Sequence, residues 1–247
     1  MNLDKTSFDK IFAKKANIKS FEFNKEVTSV FPNMISRSVP AYEEVISGIA
    51  KIMQQSNYDN TNIYDLGCSV GTTISYLCSN FDIKNNTIIG VDSSIDMIEQ
   101  ANKNKLNFKS SNKANIKFIC DDILNIKLQN ASCVILNYTL QFLPLLDRDK
   151  LIKTIYDAML PNGILILSEK IKHDNEKLGA IINKMHIDFK RDNGYSDLEI
   201  SQKRLSLENV LIPETTAAHY KRLTEAGFKN FDIWCQKYNF ISILAVK

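Results

Sequence analysis

Five short apolar runs alternate with amphipathic segments between Thr61 and Lys170, and this alternation constrains the fold more than any other feature of the sequence. The runs read TNIYDLG, NTIIGVD, NIKFICDDI, ASCVILNYTL and GILILSEK. Strands that alternate with helices predict a parallel sheet with right-handed crossovers. The fourth run is almost continuously apolar, which is typical of a strand buried on both faces.

The segments that flank this alternation predict helices on the N-terminal side and a hairpin at the C-terminal end. Apolar residues recur with helical spacing over Ala41–Gln54, and Asp147–Leu160 is an amphipathic helix stopped by PNG. Lys172–Leu211 is polar and mostly helical with a break at RDNG, and Thr215–Ala226 forms another helix. The last two runs, FDIWCQKYNF and ISILAVK, have almost no connection and predict an antiparallel hairpin.

Together these elements predict an α/β protein with a mostly parallel seven-stranded sheet that ends in an antiparallel hairpin. Such a sheet departs from the two equal halves of a dinucleotide-binding fold and favours the Rossmann-like class I methyltransferase fold of S-adenosylmethionine-dependent enzymes. We expect one S-adenosylmethionine-binding domain over residues 1–247. Within it, residues 1–56 form a helical extension and residues 172–211 form a helical insertion that covers the site.

Composition predicts a cytoplasmic protein without a metal. The net charge of +3 is too small to indicate strong nucleic-acid binding, and no apolar run is long enough to cross a membrane. The N-terminus lacks the apolar core of a signal peptide. The five cysteines contain no CxxC pair, and the three histidines contain no HxH or HxxxH pair, so neither a disulfide framework nor a metal site is expected.

The loop YDLGCSVGTT follows the first strand and predicts a ligand site. Gly67 and Gly71 allow a tight turn and a close approach to a ligand beside a helix N-terminus. Asp92 ends the second strand, where a carboxylate can accept hydrogen bonds from both hydroxyls of a ribose. Ser69 stands where a third glycine is common. The alternative is a plain tight turn with a capping Asp.

Other polar residues follow the third and fourth strands. Asp122 and the backbone of Ile123 are candidates to receive an adenine amino group, and Asn137 lies where open α/β sheets bind ligands. The alternatives are a loop cap for Asp122 and a contact with loop backbone for Asn137. For Cys68 packing is favoured over nucleophilic catalysis, and His186 is interpreted as structural rather than as a base.

The segment SDLEISQKRLSLENVL predicts a helix with a cation on its apolar face. Arg204 falls on the apolar stripe, whereas Lys203 falls on the exposed face, four residues after Glu199. The other members of the stripe are Ile200, Leu207 and Leu211. A guanidinium in apolar surroundings needs an anion, so Arg204 is predicted to pair either with a ligand or with an internal carboxylate, unless it reaches water.

Several stretches closely resemble the carboxy-S-adenosyl-L-methionine synthase family. They are FPNMISRSVPAY, YDLGCSVGTT, LNYTLQFL, LSEK, DFKRDNGYSDLEISQKRLSLENVL and the ending WCQKYNF. The resemblance extends from about Phe31 to the C-terminus. RSVPAY and EISQKR are its most specific parts, whereas many methyltransferases share the glycine loop.

The resemblance implies conversion of S-adenosyl-L-methionine and prephenate to carboxy-S-adenosyl-L-methionine and phenylpyruvate. In the implied mechanism, prephenate loses carbon dioxide and hydroxide as it aromatises. The hydroxide then deprotonates the sulfonium methyl group, and the resulting ylide captures the carbon dioxide. It also implies a homodimer, no metal, and a functional link to a tRNA carboxymethyltransferase that modifies the wobble uridine.

The resemblance further implies roles for individual residues. The cofactor-binding set is Tyr42, Gly67, Cys68, Ser69, Asp92, Ser93, Asp122, Ile123, Asn137 and Arg204. Of these, Arg204 is also the catalytic candidate, since it would pair with the new carboxylate. By charge alone, the candidates for the prephenate carboxylates are Arg37, Lys170, Lys190 and Arg191. Two rival functions stay open: an ordinary methyltransferase acting on a small molecule or tRNA, and a non-enzymatic binding partner of the tRNA-modifying enzyme.

Overall fold

The computed structural model describes residues 9–15, 17–55, 59–81, 83, 85–108 and 114–247. Residues 1–8, which belong to the predicted N-terminal extension, lie outside this range. In the part that is described, no helix has both the length and the apolar character that a membrane crossing requires.

Helices and strands alternate through the middle of the chain as the sequence predicts. The strands are β1 Asn62–Leu66, β2 Thr87–Asp92, β3 Asn115–Cys120, β4 Ala131–Asn137, β5 Met159–Lys170, β6 Asn230–Lys237 and β7 Phe240–Val246. The helices are α1 Lys25–Ser38, α2 Tyr42–Gln54, α3 Thr72–Asn80, α4 Ile95–Lys105, α5 Leu145–Ala158, α6 Glu176–Asp192, α7 Asp197–Ser206 and α8 Thr216–Ala226, with a short 3-10 turn at Leu140–Phe142.

The seven strands form one sheet in the order β3-β2-β1-β4-β5-β7-β6. Neighbours from β3 to β5 pair in parallel, whereas β7 pairs antiparallel with both β5 and β6. The predicted parallel sheet with a terminal hairpin is therefore confirmed. The strand order reverses between β1 and β4, and open sheets of this type bind ligands at the carboxyl ends of the strands on either side of such a reversal.

Helices cover both faces of the sheet. In β4 the side chains alternate, so that Val134 packs in one apolar cluster with α5 and α8, whereas Ile135 packs in the other with α2 and α3. All residues of β4 from Ala131 to Leu136 are buried, as its nearly continuous apolar sequence predicts. Because the core fixes β1, β2 and β4, the loops at their carboxyl ends start from rigid positions.

The boundary between α5 and β5 differs from the prediction. The helix was predicted to run to Leu160 and to be stopped by PNG. It ends at Ala158 and β5 begins at Met159, so PNG is part of the strand. The strand accommodates this sequence because its register with β4 shifts between Ala131 and Cys133, and because Asn162 adopts a positive φ of 59°.

The placement of Arg204 on a buried stripe was wrong. The helix α7 ends at Ser206, and Leu207 is its C-cap, so the predicted stripe combined two helical residues, Ile200 and Arg204, with two that lie beyond the helix. The actual buried face consists of Ile200, Gln202, Lys203 and Ser206. Arg204 is exposed, and Lys203 is only 6% exposed.

The predicted pairing of Lys203 with Glu199 is also absent. The Glu199 carboxylate accepts hydrogen bonds from the backbone N–H of Ser196 at 2.8 Å and from its hydroxyl at 2.7 Å. These contacts complete a capping box at the start of α7. Lys203 Nζ instead donates to Ser38 Oγ at 2.8 Å.

Candidate active site

A cavity of about 440 Å³ lies at the carboxyl ends of β1, β2 and β4, and α1, α6 and α7 contribute to its walls. Its volume is typical of small-molecule sites. Nine of the predicted site residues line it: Tyr42, Gly67, Cys68, Ser69, Asp92, Ser93, Asp122, Ile123 and Asn137. Arg204 does not line it. A second, more open cavity of about 610 Å³ shares Tyr42 but contains none of the glycine-loop residues.

The glycine loop is pinned to β2. The backbone N–H groups of Gly67 and Cys68 both donate to Val91 O, at 2.8 and 3.0 Å. Gly67 has a φ of 81°, and a Cβ there would lie 2.3 Å from Thr139 Oγ1, so both the conformation and the space require glycine. Ser69 also adopts a positive φ, of 49°.

The carboxylate of Asp92 joins the glycine loop to the end of β2. One of its oxygens accepts from Ser69 N and the other from Ser94 N, both at 2.9 Å. Burial raises the pKa of Asp92, while the two backbone hydrogen bonds oppose that rise. A carboxylate oxygen can accept more than one hydrogen bond, so each oxygen retains a lone pair for a ligand hydroxyl.

Asp122 and Ile123 form the wall beyond β3. Asp122 Oδ1 accepts from Leu124 N at 2.9 Å, which is the loop-capping contact considered as its alternative role. The residue nevertheless lines the cavity, so capping and ligand binding are compatible. Ile123 is 7% exposed and supplies an apolar surface next to it.

Asn137, the last residue of β4, presents a buried acceptor to the cavity. Its Oδ1 has no hydrogen-bond partner among the described residues. The following residue, Tyr138, has a φ of 64° and donates from its backbone to Ser168 O at 2.8 Å. A buried polar atom without a partner typically costs about 1–3 kcal/mol. The orphaned oxygen therefore fits a ligand that supplies a donor at this point.

Asp65 is a buried carboxyl group that was not identified from the sequence. It lies on β1 and is 1% exposed, and its Oδ2 has no partner among the residues described. Burial, followed by the charge of Asp92, raises its pKa to about 7. The signal in the sequence was an acid inside the apolar strand NIYDL.

Neither Cys68 nor His186 has the properties of a reactive group. Burial, with added repulsion from Asp65 and Asp92, raises the pKa of the Cys68 thiol well above its usual value, so the thiol is neutral. His186 Nε2 lies 2.9 Å from Ser38 O, and burial is the main cause that lowers its pKa to about 3. The imidazole is therefore a very weak base.

Three lysines from distant parts of the chain contribute to the cavity wall. Lys170 ends β5, Lys190 belongs to α6 and Lys203 to α7, and all three line the cavity. Burial is the main cause that lowers each of their pKa values, to about 8 for Lys190 and about 7 for Lys203. Lys203 was assigned to an exposed face by helical spacing, so sequence analysis missed it.

The two arginines proposed by charge for a second substrate have other contacts. The Arg37 guanidinium donates to Asn193 O at 2.7 Å and stacks 3.9 Å from the centre of the Tyr195 ring. Arg191 is an exposed partner of Asp188 and Asp197. Neither lines the cavity, so of the four candidates only Lys170 and Lys190 do.

Aromatic rings complete the enclosure. Phe21, Phe23, Phe31 and Phe142 line the cavity, and the rings of Phe23 and Phe142 meet edge to face with their centres 5.2 Å apart. Such a wall keeps water from the space it covers. No group of side chains suited to a metal ion occurs among the described residues.

Comparisons with known proteins agree with this geometry. A family model described as a methyltransferase domain matches residues 63–163. The carboxy-S-adenosyl-L-methionine synthase of Shewanella denitrificans is 44% identical over 240 residues, which are 97% of this chain and 98% of that protein. The chain belongs to the carboxy-S-adenosyl-L-methionine synthase family. The synthase of Psychromonas ingrahamii is 45% identical over 97% of this chain and 98% of its own length.

A solved structure supports the fold alone. A putative S-adenosyl-L-methionine-dependent methyltransferase from Methanococcus maripaludis superposes with a TM-score of 0.58 and 20% identity, covering 94% of this chain and 97% of the other. The predicted class I methyltransferase fold is thus confirmed independently of the synthase sequences.

Proposed function

We propose that this protein converts S-adenosyl-L-methionine and prephenate to carboxy-S-adenosyl-L-methionine, phenylpyruvate and water. The observation that carries the proposal is that one cavity joins two unlike sets of groups. The glycine loop, Asp92 and Asn137 line it together with three lysines from β5, α6 and α7. Family membership supports the synthase assignment, and the lysines suit an anionic second substrate.

S-adenosyl-L-methionine supplies the methyl group that becomes carboxylated. Asp92 would accept from the ribose hydroxyls, and Asp122 with the backbone of Ile123 would receive the adenine. The amino-acid part would lie against Gly67, Cys68 and Ser69. The orphaned Oδ1 of Asn137 and the close backbone approach at Gly67 fit such a ligand.

The proposed role of the protein is positioning rather than proton abstraction. A sulfonium methyl group needs a base much stronger than any tuned side chain at neutral pH. His186, with a pKa of about 3, is far weaker still. The lysines would hold the anionic substrate beside the methyl group, and the aromatic wall would exclude water from the reaction.

Isotope tracing tests the reaction. Prephenate labelled in the ring carboxylate, which leaves on aromatisation, should transfer its label to the nucleoside product. Label in the side-chain carboxylate should stay in phenylpyruvate. Products in a ratio of about one to one support the proposal. Formation of S-adenosylhomocysteine with an added methyl acceptor indicates an ordinary methyltransferase, and no consumption of prephenate indicates a binding protein.

We further propose that the protein is a cytoplasmic homodimer that supplies its product to a tRNA carboxymethyltransferase. The exposed side chains Leu178, Ile181 and Met185 of α6 support a dimer, because they form an apolar stripe with helical spacing. Sedimentation analysis should give a mass of two chains for the wild type. Ile181→Glu should shift it toward one chain, whereas Lys177→Glu, on the same helix, should not.

A further inference from the structure

Lys170, Lys190 and Lys203 form a group of cations, referred to below as the lysine wall. They belong to three elements that are distant in sequence, β5, α6 and α7, yet they line the same cavity. Repulsion adds to burial in lowering their pKa values, since Arg204 acts on Lys170, Lys170 acts on Lys190 and Lys190 acts on Lys203. The three ammonium groups are therefore close enough to act on one ligand.

No carboxylate among the described residues forms an ion pair with the lysine wall. Across the described ranges, none of the three ammonium groups has a carboxylate oxygen within 4.0 Å, although twelve other lysines, arginines and acids pair elsewhere on the surface and in the core. Asp9 is near enough to raise the pKa of Lys203 but forms no ion pair with it. Cations held away from water without a partner are costly, which favours a ligand that brings the missing negative charge.

S-adenosyl-L-methionine alone does not match this charge. It carries a single carboxylate together with two cationic groups, a sulfonium and an ammonium, whereas three lysines line the cavity. A second substrate with two carboxylates would supply the negative charge that the lysine wall lacks. Ser38 adds a hydroxyl to the same region, because its Oγ accepts from Lys203 Nζ at 2.8 Å.

We propose that the lysine wall is the anion site that holds the carboxylates of the second substrate, and that Lys203 belongs to it together with Lys170 and Lys190. This inference rests on the proposed function, since it concerns the substrate of that same cavity. It assigns the dicarboxylate to the end of β5 and to α6 and α7, and leaves the ends of β1, β2 and β4 to the nucleoside.

Kinetics of single variants test the assignment. Lys170→Gln and Lys190→Gln should each raise the KM for prephenate about 10- to 100-fold, because each removes a charged hydrogen-bond donor. The Kd for S-adenosyl-L-methionine should stay within about twofold. Lys177→Gln is the matched control, because Lys177 is exposed on the same helix as Lys190, and it should leave both constants unchanged.

A comparison of ligands adds a readout that a structural role would not affect. With S-adenosylhomocysteine bound, so that no turnover occurs, wild-type protein should bind prephenate more tightly than phenylpyruvate, which has one carboxylate fewer. In Lys170→Gln and Lys190→Gln the ratio of the Kd for phenylpyruvate to the Kd for prephenate should fall toward one. Thermal unfolding of each variant shows whether it folds. Lys190 is only half-buried, so its variant provides a test even if a variant at buried Lys203 does not fold.

The possible failures are distinct. If the wild-type protein consumes no prephenate, the proposed function is wrong and this inference falls with it. If the wild type turns over while Lys170→Gln and Lys190→Gln keep a normal KM, the inference alone is wrong. Equal losses for S-adenosyl-L-methionine and prephenate would assign the lysine wall to the nucleoside instead.

Discussion

The two walls of the cavity differ in how their polar groups are satisfied. On the sheet edge, Asp92 accepts two backbone hydrogen bonds and Asp122 accepts one, so the protein itself holds the carboxylates in place. On the lysine wall, the ammonium groups of Lys170 and Lys190 have no ion-pair partner within the described residues. Lys203 donates to the neutral hydroxyl of Ser38, and its Nζ lies 5.4 Å from the centre of the Tyr195 ring. The carboxylates of the first wall are held by the protein itself, whereas the cations of the second lack an anion.

This difference predicts that mutations on the two walls change stability and ligand affinity differently. Removing a group from the sheet edge breaks protein contacts as well as ligand contacts, so ligand affinity and stability should both fall. Removing a cation from the lysine wall breaks a ligand contact and relieves repulsion in the free protein, and only at Lys203 does it also break a hydrogen bond, to Ser38. Stability and affinity should therefore change in the same direction on the sheet edge and in opposite directions on the lysine wall.

Asp92→Ala should have the largest effect on the sheet edge. It removes the acceptor for Ser69 N and Ser94 N as well as the proposed acceptor for the ribose. We expect the affinity for S-adenosyl-L-methionine to fall about 10- to 100-fold, as for hydrogen bonds to a charged group. Calorimetric titration measures this, with Glu99→Ala on the exposed face of α4 as the control. Unchanged affinity would remove Asp92 from the site.

Arg204→Ala should have a smaller and more selective effect. Because Arg204 is exposed, a contact with the product carboxylate is screened by water, and a loss of about fivefold in affinity for carboxy-S-adenosyl-L-methionine is expected. Affinity for S-adenosyl-L-methionine and the melting temperature should hardly change. Ser201→Ala, at an exposed position of the same helix, is the control. Equal losses for both ligands would exclude a role specific to the product.

The sheet edge could be predicted from sequence because its geometry is local. Gly67 and Asp92 follow directly from apolar strands, and parallel strands bring their carboxyl ends to one edge, so spacing along the chain was enough to bring these residues together. Asp65 was missed because a single acid inside an apolar strand gives no indication of whether it faces a ligand or the core.

The place of Lys203 in the lysine wall could not be predicted in the same way, because it depends on where α7 ends and on which residues pack against that helix. Extending α7 by five residues to Leu211 rotated the inferred stripe from Lys203 to Arg204. Lys203 is buried and donates a hydrogen bond to Ser38, which is 165 residues away in the chain. Spacing within one helix contains no information about such a neighbour.

Lys203→Met has the smallest expected effect. It gives the sharpest contrast between the walls, because it should stabilise the free protein, whereas Asp92→Ala breaks protein contacts. The pKa of Lys203 is lowered to about 7 by burial first, with Lys190 and Arg37 adding repulsion and Asp9 opposing them. A lysine in the unfolded chain keeps a pKa near 10.5. Between these two values the unfolded state binds a proton that the folded state does not, so the wild type loses stability as pH falls from 10.5 to 7.

The methionine variant lacks this penalty. Its melting temperature should exceed that of the wild type by about 2–4 °C at pH 7, and the advantage should shrink as pH rises toward 10.5. Scanning calorimetry of both proteins at pH 7 and pH 10 measures the difference, with the exposed Lys177→Met as the control. A variant that melts below the wild type at pH 7 would mean that the bond from Lys203 to Ser38 and the attraction of Asp9 outweigh the cost of burial. Lys203 would then stabilise the fold, as Asp92 does on the sheet edge, and the proposed contrast between the two walls would not hold.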